Sequence, residues 1–370
     1  MGEKRMIFEE SSADAQRLRE EIHHRAFMSE GTMLAFPTCV PGATIPIAPD
    51  ESHITALDVT REGHVYGGTS GKRSHIFVGM FHGVTGMVFD MRVVGGATHC
   101  PAVCCGNTKF LACVNGPSAG GRIFRTRLEP LPYDQIQDAW FVRPAFDDLG
   151  EPVAGEPIVH AVANASRERV VGVTVRHLFT VDIEAAKIQV VGEVPGGGRL
   201  AVGSRGSIFG LDGADHLWRY DSQAQELQRN AIKLPNGAWD KAPLVWARDA
   251  QKGLLYTADA QGRLYSFDEE SGFSPLLART MLAPVGPMAV TFDGRLFGFC
   301  GDGIAKMFCY APARREISTL GVAVSVFERR RYGYAFGDAV TGRDGEIIIG
   351  EDDDLGHVWL YFPRIQATRN

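Results

Sequence analysis

A short motif recurs seven times along the 370 residues of this chain. Each copy opens on a turn, usually with a glycine, and continues with a β-rich pair and a polar loop. It ends in a polar residue followed by an aliphatic and usually an aromatic residue. The residues that close the copies are Phe77, Phe124, Phe179, Trp218, Tyr265, Phe308 and Trp359. Their spacing averages about 47 residues, within the range of propeller blades. Because units built of strands cannot bury their apolar faces alone, the repeat predicts an all-β fold, a seven-bladed β-propeller with a central channel.

The first 30 residues lack this motif and have a different character. Helix-forming residues cover 10–27, and Leu18 and Ile22 lie four positions apart. This spacing predicts a short amphipathic helix on the outside of the propeller. We therefore expect an N-terminal helical extension over 1–30 and a single propeller domain over 31–370.

The ring also needs a way to close. The final copy has no room for an outer strand, because the sequence ends soon after Phe362. The segment Thr32–Phe36 has strand character near the other end of the chain. We expect this N-terminal strand to complete the last blade, because closure removes the sheet edges that an open arc would expose.

Composition narrows the classes of partner. The formal net charge of −6 argues against nucleic acid, which favours a basic face. No apolar run reaches the roughly 18 residues of a membrane span, and the N-terminus lacks the apolar core of a secretory signal. The seven cysteines are an odd number and fall mostly in predicted strands, which is typical of free thiols in a reducing compartment. These features favour a cytoplasmic protein that binds neither nucleic acid nor membrane.

One face of a propeller gathers the starts of the inner strands around the channel. The polar residues predicted at these starts are His53, His99, His160, Arg199, Lys241, Arg331, Tyr332 and Tyr334. Together they make a locally basic mouth on an acidic chain, which would attract an anionic ligand. Taken singly, each could instead be a solvated residue at the end of a loop.

A second polar set precedes the closing aromatic of each blade. It comprises His75, His177, His216 and His357, with Arg122, Arg263 and Lys306 at the equivalent positions. A residue type repeated in four blades more readily answers a repeated structural need than four catalytic needs. His75 is the best catalytic candidate among them, because its loop adds Lys72 and Arg73 and is next to the blade of His99.

The run Glu351–Asp354 lies in the matching loop of the last blade. Clustered carboxylates can hold a hard cation such as calcium. The spacing fits no EF-hand loop, so a solvated acidic loop is the preferred interpretation and no metal ligand is assigned. No dinucleotide fingerprint, phosphate-binding loop or nucleophile elbow is present, which leaves nucleotide-dependent and α/β-hydrolase chemistry without support.

Two stretches, Tyr66–Phe77 and Tyr334–Pro363, resemble seven-bladed propeller carbohydrate enzymes. The group contains lyases acting on rhamnosyl-glucuronate linkages, ulvan lyases and related propeller rhamnosidases. The resemblance implies an acidic saccharide at the channel mouth whose bond to a uronic acid is broken by β-elimination, with histidine, tyrosine and arginine taking part.

Such a reaction needs three groups. A cation neutralises the substrate carboxylate, a base removes the adjacent proton, and an acid protonates the leaving oxygen. The candidates for these roles are Arg331 or Arg199, His75 or His99, and Tyr332 or Tyr334, respectively. Lys72, Arg73, His53, His160 and Lys241 are the further substrate-binding candidates.

Three other functions compete with the lyase. A propeller can be a non-catalytic interaction platform, since fold does not fix function. A rhamnosidase-type hydrolase needs two positioned carboxylates, and a metal-dependent lactonase needs acidic and amide ligands near the axis. The basic and aromatic residues predicted at the inner-strand starts count against the last two.

Overall fold

The structure, a computed structural model, describes residues 30–38, 47–117, 120–128, 144–326 and 332–364. Strands account for 56% of these residues and helix for 1%. The strands form seven antiparallel sheets around an axis, which confirms the seven-bladed β-propeller. One 3-10 turn, Pro49–Glu51, is the helical element of the described ranges. The helix predicted over 10–27 lies outside them.

The first four blades follow the chain, with the strands of each given from the innermost outward. Blade 1 contains His53–Val59, Val65–Ser70, Ser74–His82 and Thr85–Val94. Blade 2 contains His99–Cys105, Lys109–Asn115, Gly121–Arg127 and Asp147–Gly150. Blade 3 contains Ile158–Ala163, Arg169–Thr174, His177–Asp182 and Lys187–Glu193. Blade 4 contains Ala201–Val202, Ile208–Asp212, His216–Asp221 and Glu226–Lys233.

The remaining blades keep the same plan with two departures. Blade 5 contains Trp246–Arg248, Leu255–Ala258 and Arg263–Asp268, and two short strands, Gly272–Phe273 and Ala278–Arg279, share its outer position. Blade 6 contains Val285–Val290, Leu296–Cys300, Lys306–Ala311 and Glu316–Gly321. Blade 7 contains Phe336–Thr341, Ile347–Glu351, His357–Phe362 and Thr32–Pro37. A separate ladder pairs Ala323–Val324 with Tyr332–Gly333.

The closing aromatics of the motif explain how a blade is built. Phe77 and Phe179 are fully buried on the third strands of their blades. Each lies over a glycine on the second strand, its cross-strand partner Gly67 or Gly172. A Cβ at Gly67 would come within 2.1 Å of the Phe77 ring. The repeated pairing of small and large residues therefore lets the ring lie flat on the sheet.

The ring closes as the sequence predicts. Thr32–Pro37 runs antiparallel to the third strand of blade 7, from the pair Thr32 and Phe362 to the pair Pro37 and His357. Leu34 is buried in an apolar cluster that also contains Ile54 of blade 1 and Val358 of blade 7. Backbone hydrogen bonds thus hold the N-terminal strand in blade 7, and the first and last blades share an apolar core.

The inner strands begin where the sequence places them in two blades and differ in the others. His53 and His99 start the inner strands of blades 1 and 2. His160 is the third residue of its strand, whereas Arg199 and Lys241 precede theirs. The predicted start at Tyr332 is wrong, because Tyr332 pairs with Val324 and the inner strand of blade 7 begins at Phe336.

Two further properties bear on the predictions from composition. Six of the seven cysteines lie in described ranges, and all six are buried free thiols. Within the described ranges, no helix is long and apolar enough to cross a membrane.

Candidate active site at the channel mouth

We call the face that carries the inner-strand starts and the loops between second and third strands the mouth. His53 opens the inner strand of blade 1 there and reaches the acidic loop of blade 7. Its Nδ1 lies 3.0 Å from Asp352 Oδ1 and its Nε2 lies 3.1 Å from Asp354 Oδ1. The hydrogen bond to Asp352 is the largest cause that raises the pKa of His53, to about 9. His53 is therefore an imidazolium at neutral pH, with both nitrogens donating.

His99 opens the inner strand of blade 2 at the same mouth, and its side chain is exposed. Its Nδ1 lies 2.8 Å from Ser70 Oγ, and Ser70 is the cross-strand partner of His53. Although the residue is open to solvent, desolvation by the protein around the ring lowers the pKa of His99, against the attraction of Asp352. His99 is therefore a neutral imidazole at neutral pH.

A relay of hydroxyl groups fixes which nitrogen of His99 carries the proton. Thr55 donates its only hydroxyl hydrogen to the carbonyl of Cys100, at 2.8 Å. Ser70 Oγ, 2.7 Å from Thr55 Oγ1, must then be the donor of that pair. With its hydrogen committed, Ser70 accepts from His99 Nδ1, and also from the backbone N–H of Cys100 at 3.2 Å. The Nε2 of His99 is left unprotonated, with no partner among the described residues.

The mouth thus brings together two histidines in opposite protonation states. They begin adjacent inner strands, and the charge of Asp352 acts on the pKa of both. Environments that push the pKa values of neighbouring groups apart are how proteins assign acid and base roles. This arrangement can remove a proton at one position and stabilise negative charge at the next.

His75 is held differently from His99. It is 4% exposed, with Nδ1 2.9 Å from Asp90 Oδ2 and Nε2 2.9 Å from Glu51 Oε2. Burial opposes the charged ring, but the hydrogen bonds to Asp90 and Glu51 outweigh it and raise the pKa of His75. Arg73 binds the other oxygen of Glu51 at 2.6 Å and is the largest cause that lowers the pKa of Glu51, to about 2. Neither nitrogen of His75 is left to act as a base. Lys72 is exposed beside this cluster, and its backbone N–H donates to the carbonyl of Asp50 at 2.7 Å.

The same arrangement recurs in blade 3. Glu156 accepts hydrogen bonds from Thr174 at 2.5 Å, Arg176 at 2.7 Å and His177 Nδ1 at 3.0 Å. Glu51 and Glu156 each lie two residues before an inner strand. In both blades, the loop between the second and third strands carries an arginine, and a histidine follows it. The two clusters make His75 and His177 loop anchors, and their shared spacing is recognisable in the sequence only once the folded clusters are known.

His160 and Arg199 lie inside the channel. Nδ1 of His160 accepts from the backbone N–H of Leu200 at 3.2 Å, and burial holds its pKa well below the usual range. Arg199 crosses the channel to bind the Asp338 carboxylate and the carbonyl of Gly337, the latter at 2.6 Å. Arg199 also donates to the carbonyl of Thr55 at 3.4 Å, so both residues are engaged by the protein itself.

The remaining candidates are spread around the mouth. Lys241 is exposed in the loop before blade 5, with Nζ 3.2 Å from Asp240. The rings of Tyr332 and Tyr334 are stacked with centroids 6.5 Å apart. Ala335, the next residue, accepts from the backbone N–H of Asp352 at 2.9 Å, which places this segment beside the acidic loop. Arg331 lies outside the described residues.

The acidic loop of blade 7 is not simply solvated. Glu351 is buried and accepts from the backbone N–H of His357 at 3.0 Å, while Asp352 and Asp354 bind His53. No group of three or more histidine, cysteine or acidic side chains in the described ranges has the geometry of a metal site. Because their carboxylates already have protein donors, the loop residues do not fit a calcium ion.

The fold defines a seven-bladed propeller, and solved structures of that fold resemble it. Virginiamycin B lyase from Staphylococcus aureus, as the selenomethionine protein, matches with a TM-score of 0.64 and 9% identity, over 91% of this chain and 100% of that one. A catalytically inactive variant with quinupristin matches at 0.61 and 9%, over 90% and 100%. The extracellular domain of BT4673 from B. thetaiotaomicron matches at 0.56 and 11%, over 92% of this chain and 41% of that chain.

These likenesses establish the fold, at identities too low to carry more. No family model matches the sequence, and no curated protein matches it significantly. The expected resemblance to propeller enzymes therefore holds for the architecture, and its neighbours include a lyase. None of the comparisons supports the rhamnosyl-glucuronate or ulvan lyase group in particular.

Proposed function

We propose that this protein is a lyase that begins elimination by removing a weakly acidic C–H proton at the channel mouth. The observation that carries this proposal is the hydroxyl relay from Thr55 through Ser70 to His99. It presents an exposed imidazole with an unprotonated Nε2, and an imidazolium, His53, begins the neighbouring strand. Similarity in fold to virginiamycin B lyase adds support for the reaction class.

The chemistry follows from these two rings. The Nε2 of His99 takes the proton from the carbon next to a carboxylate, and the electron pair left behind forms a carbon–carbon double bond. The bond from the next carbon to the leaving oxygen breaks, and that oxygen takes up a proton. His53 neutralises the substrate carboxylate and the charge that builds on it in the transition state. The substrate carboxylate can displace Asp354, whose side chain is 64% exposed, from Nε2 of His53.

Tyr332 or Tyr334 supplies the acid. Their segment is bonded to the acidic loop through Ala335 and Asp352, on the side of His53 away from His99. A phenol there can protonate the leaving oxygen while His99 works on the other side of the bond. Arg199 does not take the neutralising role in this scheme, because Asp338 already holds its guanidinium.

For the substrate we propose a uronate-containing saccharide. A uronic acid has the acidic C–H bond next to a carboxylate that this chemistry needs, and the carboxylate matches the charge of His53. The experiment is incubation of the protein with glucuronate-containing oligosaccharides while the ultraviolet absorbance of an unsaturated uronate is followed. Quinupristin, found with the inactive variant of the similar enzyme, belongs in the same panel with chromatographic detection of a product.

The outcomes of this experiment distinguish the candidate functions. A rise in absorbance supports the uronate lyase. Cleavage of quinupristin alone keeps the lyase and removes the uronate. Binding of acidic saccharides without product formation makes the mouth a non-catalytic platform.

A further inference from the structure

We propose that the far end of the central channel holds a second site, which binds a small organic carboxylate through Arg248. The site is independent of the chemistry proposed for His99, since it lies at the opposite end of the channel. Arg248 is the last residue of the inner strand of blade 5, and inner strands end at the face away from the mouth.

The channel has room for such a ligand. A cavity of about 290 Å³ is lined by residues from the inner strands of blades 1 to 5 and 7 and from the loop after the inner strand of blade 3. A cavity of this volume is at the small end of ligand pockets. It therefore suits a molecule about the size of one monosaccharide.

The charges that line the cavity do not balance. Three arginines, Arg167, Arg199 and Arg248, face two aspartates, Asp58 and Asp338. Arg199 is bound to Asp338. Arg167 donates to the carbonyl of Val59 at 2.8 Å, and its Nη2 lies 3.9 Å from Asp58.

Arg248 is the third arginine that lines the cavity. It forms no hydrogen bond or ion pair with any residue in the described ranges. Glu269 is the carboxylate that attracts Arg248 electrostatically. It accepts hydrogen bonds from the backbone N–H of Arg205 at 2.8 Å and from Arg219 at 3.4 Å. A guanidinium presents a planar pair of donors that matches a carboxylate. An unpaired one facing a cavity is a binding group for an anion.

Another part of the cavity wall, formed by Arg167, is held rigidly by the protein. Arg167 has a φ of 60°, which residues other than glycine rarely adopt. Its backbone N–H donates to the carbonyl of Asn164 at 2.9 Å. Its guanidinium spans from blade 3 to the carbonyls of Val59 and Cys105. Asp58 and Asp338 already accept the backbone N–H groups of Cys105 and Leu57, each at 2.7 Å. A carboxylate has about four lone-pair sites, so both can still accept from a ligand hydroxyl, and their charge disfavours a ligand with several negative charges. A hydroxylated monocarboxylate fits this set of groups.

The test is isothermal titration calorimetry with sodium D-glucuronate, and with D-glucose as the neutral molecule of similar size. We expect glucuronate to bind and glucose to bind at least tenfold more weakly. Arg248→Gln should weaken glucuronate binding at least about tenfold, because hydrogen bonds between charged groups are the strong ones. Arg205→Gln is the matched control, since it removes an exposed arginine of the same face that pairs with Glu270 instead of lining the cavity.

Further variants distinguish loss of binding at this site from effects at the mouth and from misfolding. His53→Gln removes the carboxylate-binding group proposed at the mouth and should still bind glucuronate as the wild type does, so failure of this site and failure of the lyase can be told apart. Arg248→Lys keeps the charge and loses the planar fork, so it should bind with intermediate affinity if Arg248→Gln proves unstable on heating. Absence of binding to the wild type, equal binding of glucose, unchanged binding by folded Arg248→Gln, or loss of binding in His53→Gln would overturn the proposal.

Discussion

The imidazole of His53 is clamped by Asp352, 3.0 Å away on a loop that lies 299 positions further along the chain. This bond joins the first and last blades at the mouth, on the same seam that the N-terminal strand closes. It also sets the charge of one half of the candidate site. Closure of the ring and the chemistry proposed for the mouth therefore depend on the same neighbourhood.

The clamp should make stability depend on pH. The pKa of His53 is raised from 6.5 to about 9, so its contribution is fully present below pH 6.5 and is lost as pH rises through 9. Because the side chains of His53 and Asp354 are 33% and 64% exposed, we expect a loss of no more than about 1 kcal/mol. Urea unfolding between pH 6.5 and 9 should show this decline in the free energy of unfolding of the wild type and no such decline in His53→Gln. Asp302→Asn, which changes an exposed residue in the matching loop of blade 6, should behave as the wild type. An equal decline in His53→Gln would contradict the assignment.

The cluster around Glu51 should matter for folding. Glu51→Gln leaves Arg73 and His75 without their shared carboxylate, so we expect the free energy of unfolding at pH 7 to drop by about 1–3 kcal/mol. The pKa of Glu51 is lowered from 4.5 to about 2, so its contribution is present above pH 4.5 and disappears as pH falls through 2. The two proteins should therefore converge in stability in acid. Asp50→Asn, at the exposed neighbour, is the control, and a gap that persists at pH 2 would show that the carboxylate charge is not the cause.

The closing strand should contribute a large part of stability. Leu34 is 3% exposed between blades 1 and 7, so Leu34→Ala should cost about 2–5 kcal/mol in urea unfolding. Thr32→Ala, at the exposed start of the same strand, should change stability by less than about 0.5 kcal/mol. Similar small effects of both substitutions would mean that the ring does not rely on this strand.

The relay at the mouth gives a kinetic prediction for a positioning residue. Ser70→Ala removes the acceptor of the His99 Nδ1 proton, so the ring can turn or shift its proton to Nε2. We expect kcat on an active substrate to fall roughly 10- to 100-fold with little change in KM, because the base is misplaced while the binding groups remain. Ser74→Ala, at the other end of the same loop, removes a hydrogen bond to the Thr69 carbonyl and should leave kcat close to the wild type. Equal rates for both variants would show that the relay does not orient the base.

Much of the fold could be predicted from the sequence because its signals are local and repeated. The spacing of the aromatic residues from Phe77 to Trp359 gives the number of blades, and each of these rings packs on its own blade. The pairing of Thr32–Pro37 with the last blade follows from one missing strand and one spare segment. Inner strands were harder to place, because polar residues such as Lys241 occur in the loop before a strand as readily as at its start.

The candidate site could be predicted only in part. His53 and His99 were placed at the mouth by the start of their strands. Their protonation states depend on Asp352 and Ser70, which come from a neighbouring blade or strand, and no local pattern in the sequence reports that contact. For His75, the residue pattern could not show that Glu51 and Asp90 occupy both ring nitrogens, since the three meet only in the folded blade.

The most direct test of the account is turnover by His99→Asn, beside His64→Asn, on a substrate cleaved by the wild type. His64, in blade 1, is another histidine whose pKa is lowered by burial, but it precedes the second strand, on the face away from the mouth. Loss of the base should reduce kcat by about 10²- to 10⁴-fold in His99→Asn, with His64→Asn close to the wild type. Wild-type turnover by a folded His99→Asn protein would contradict the account.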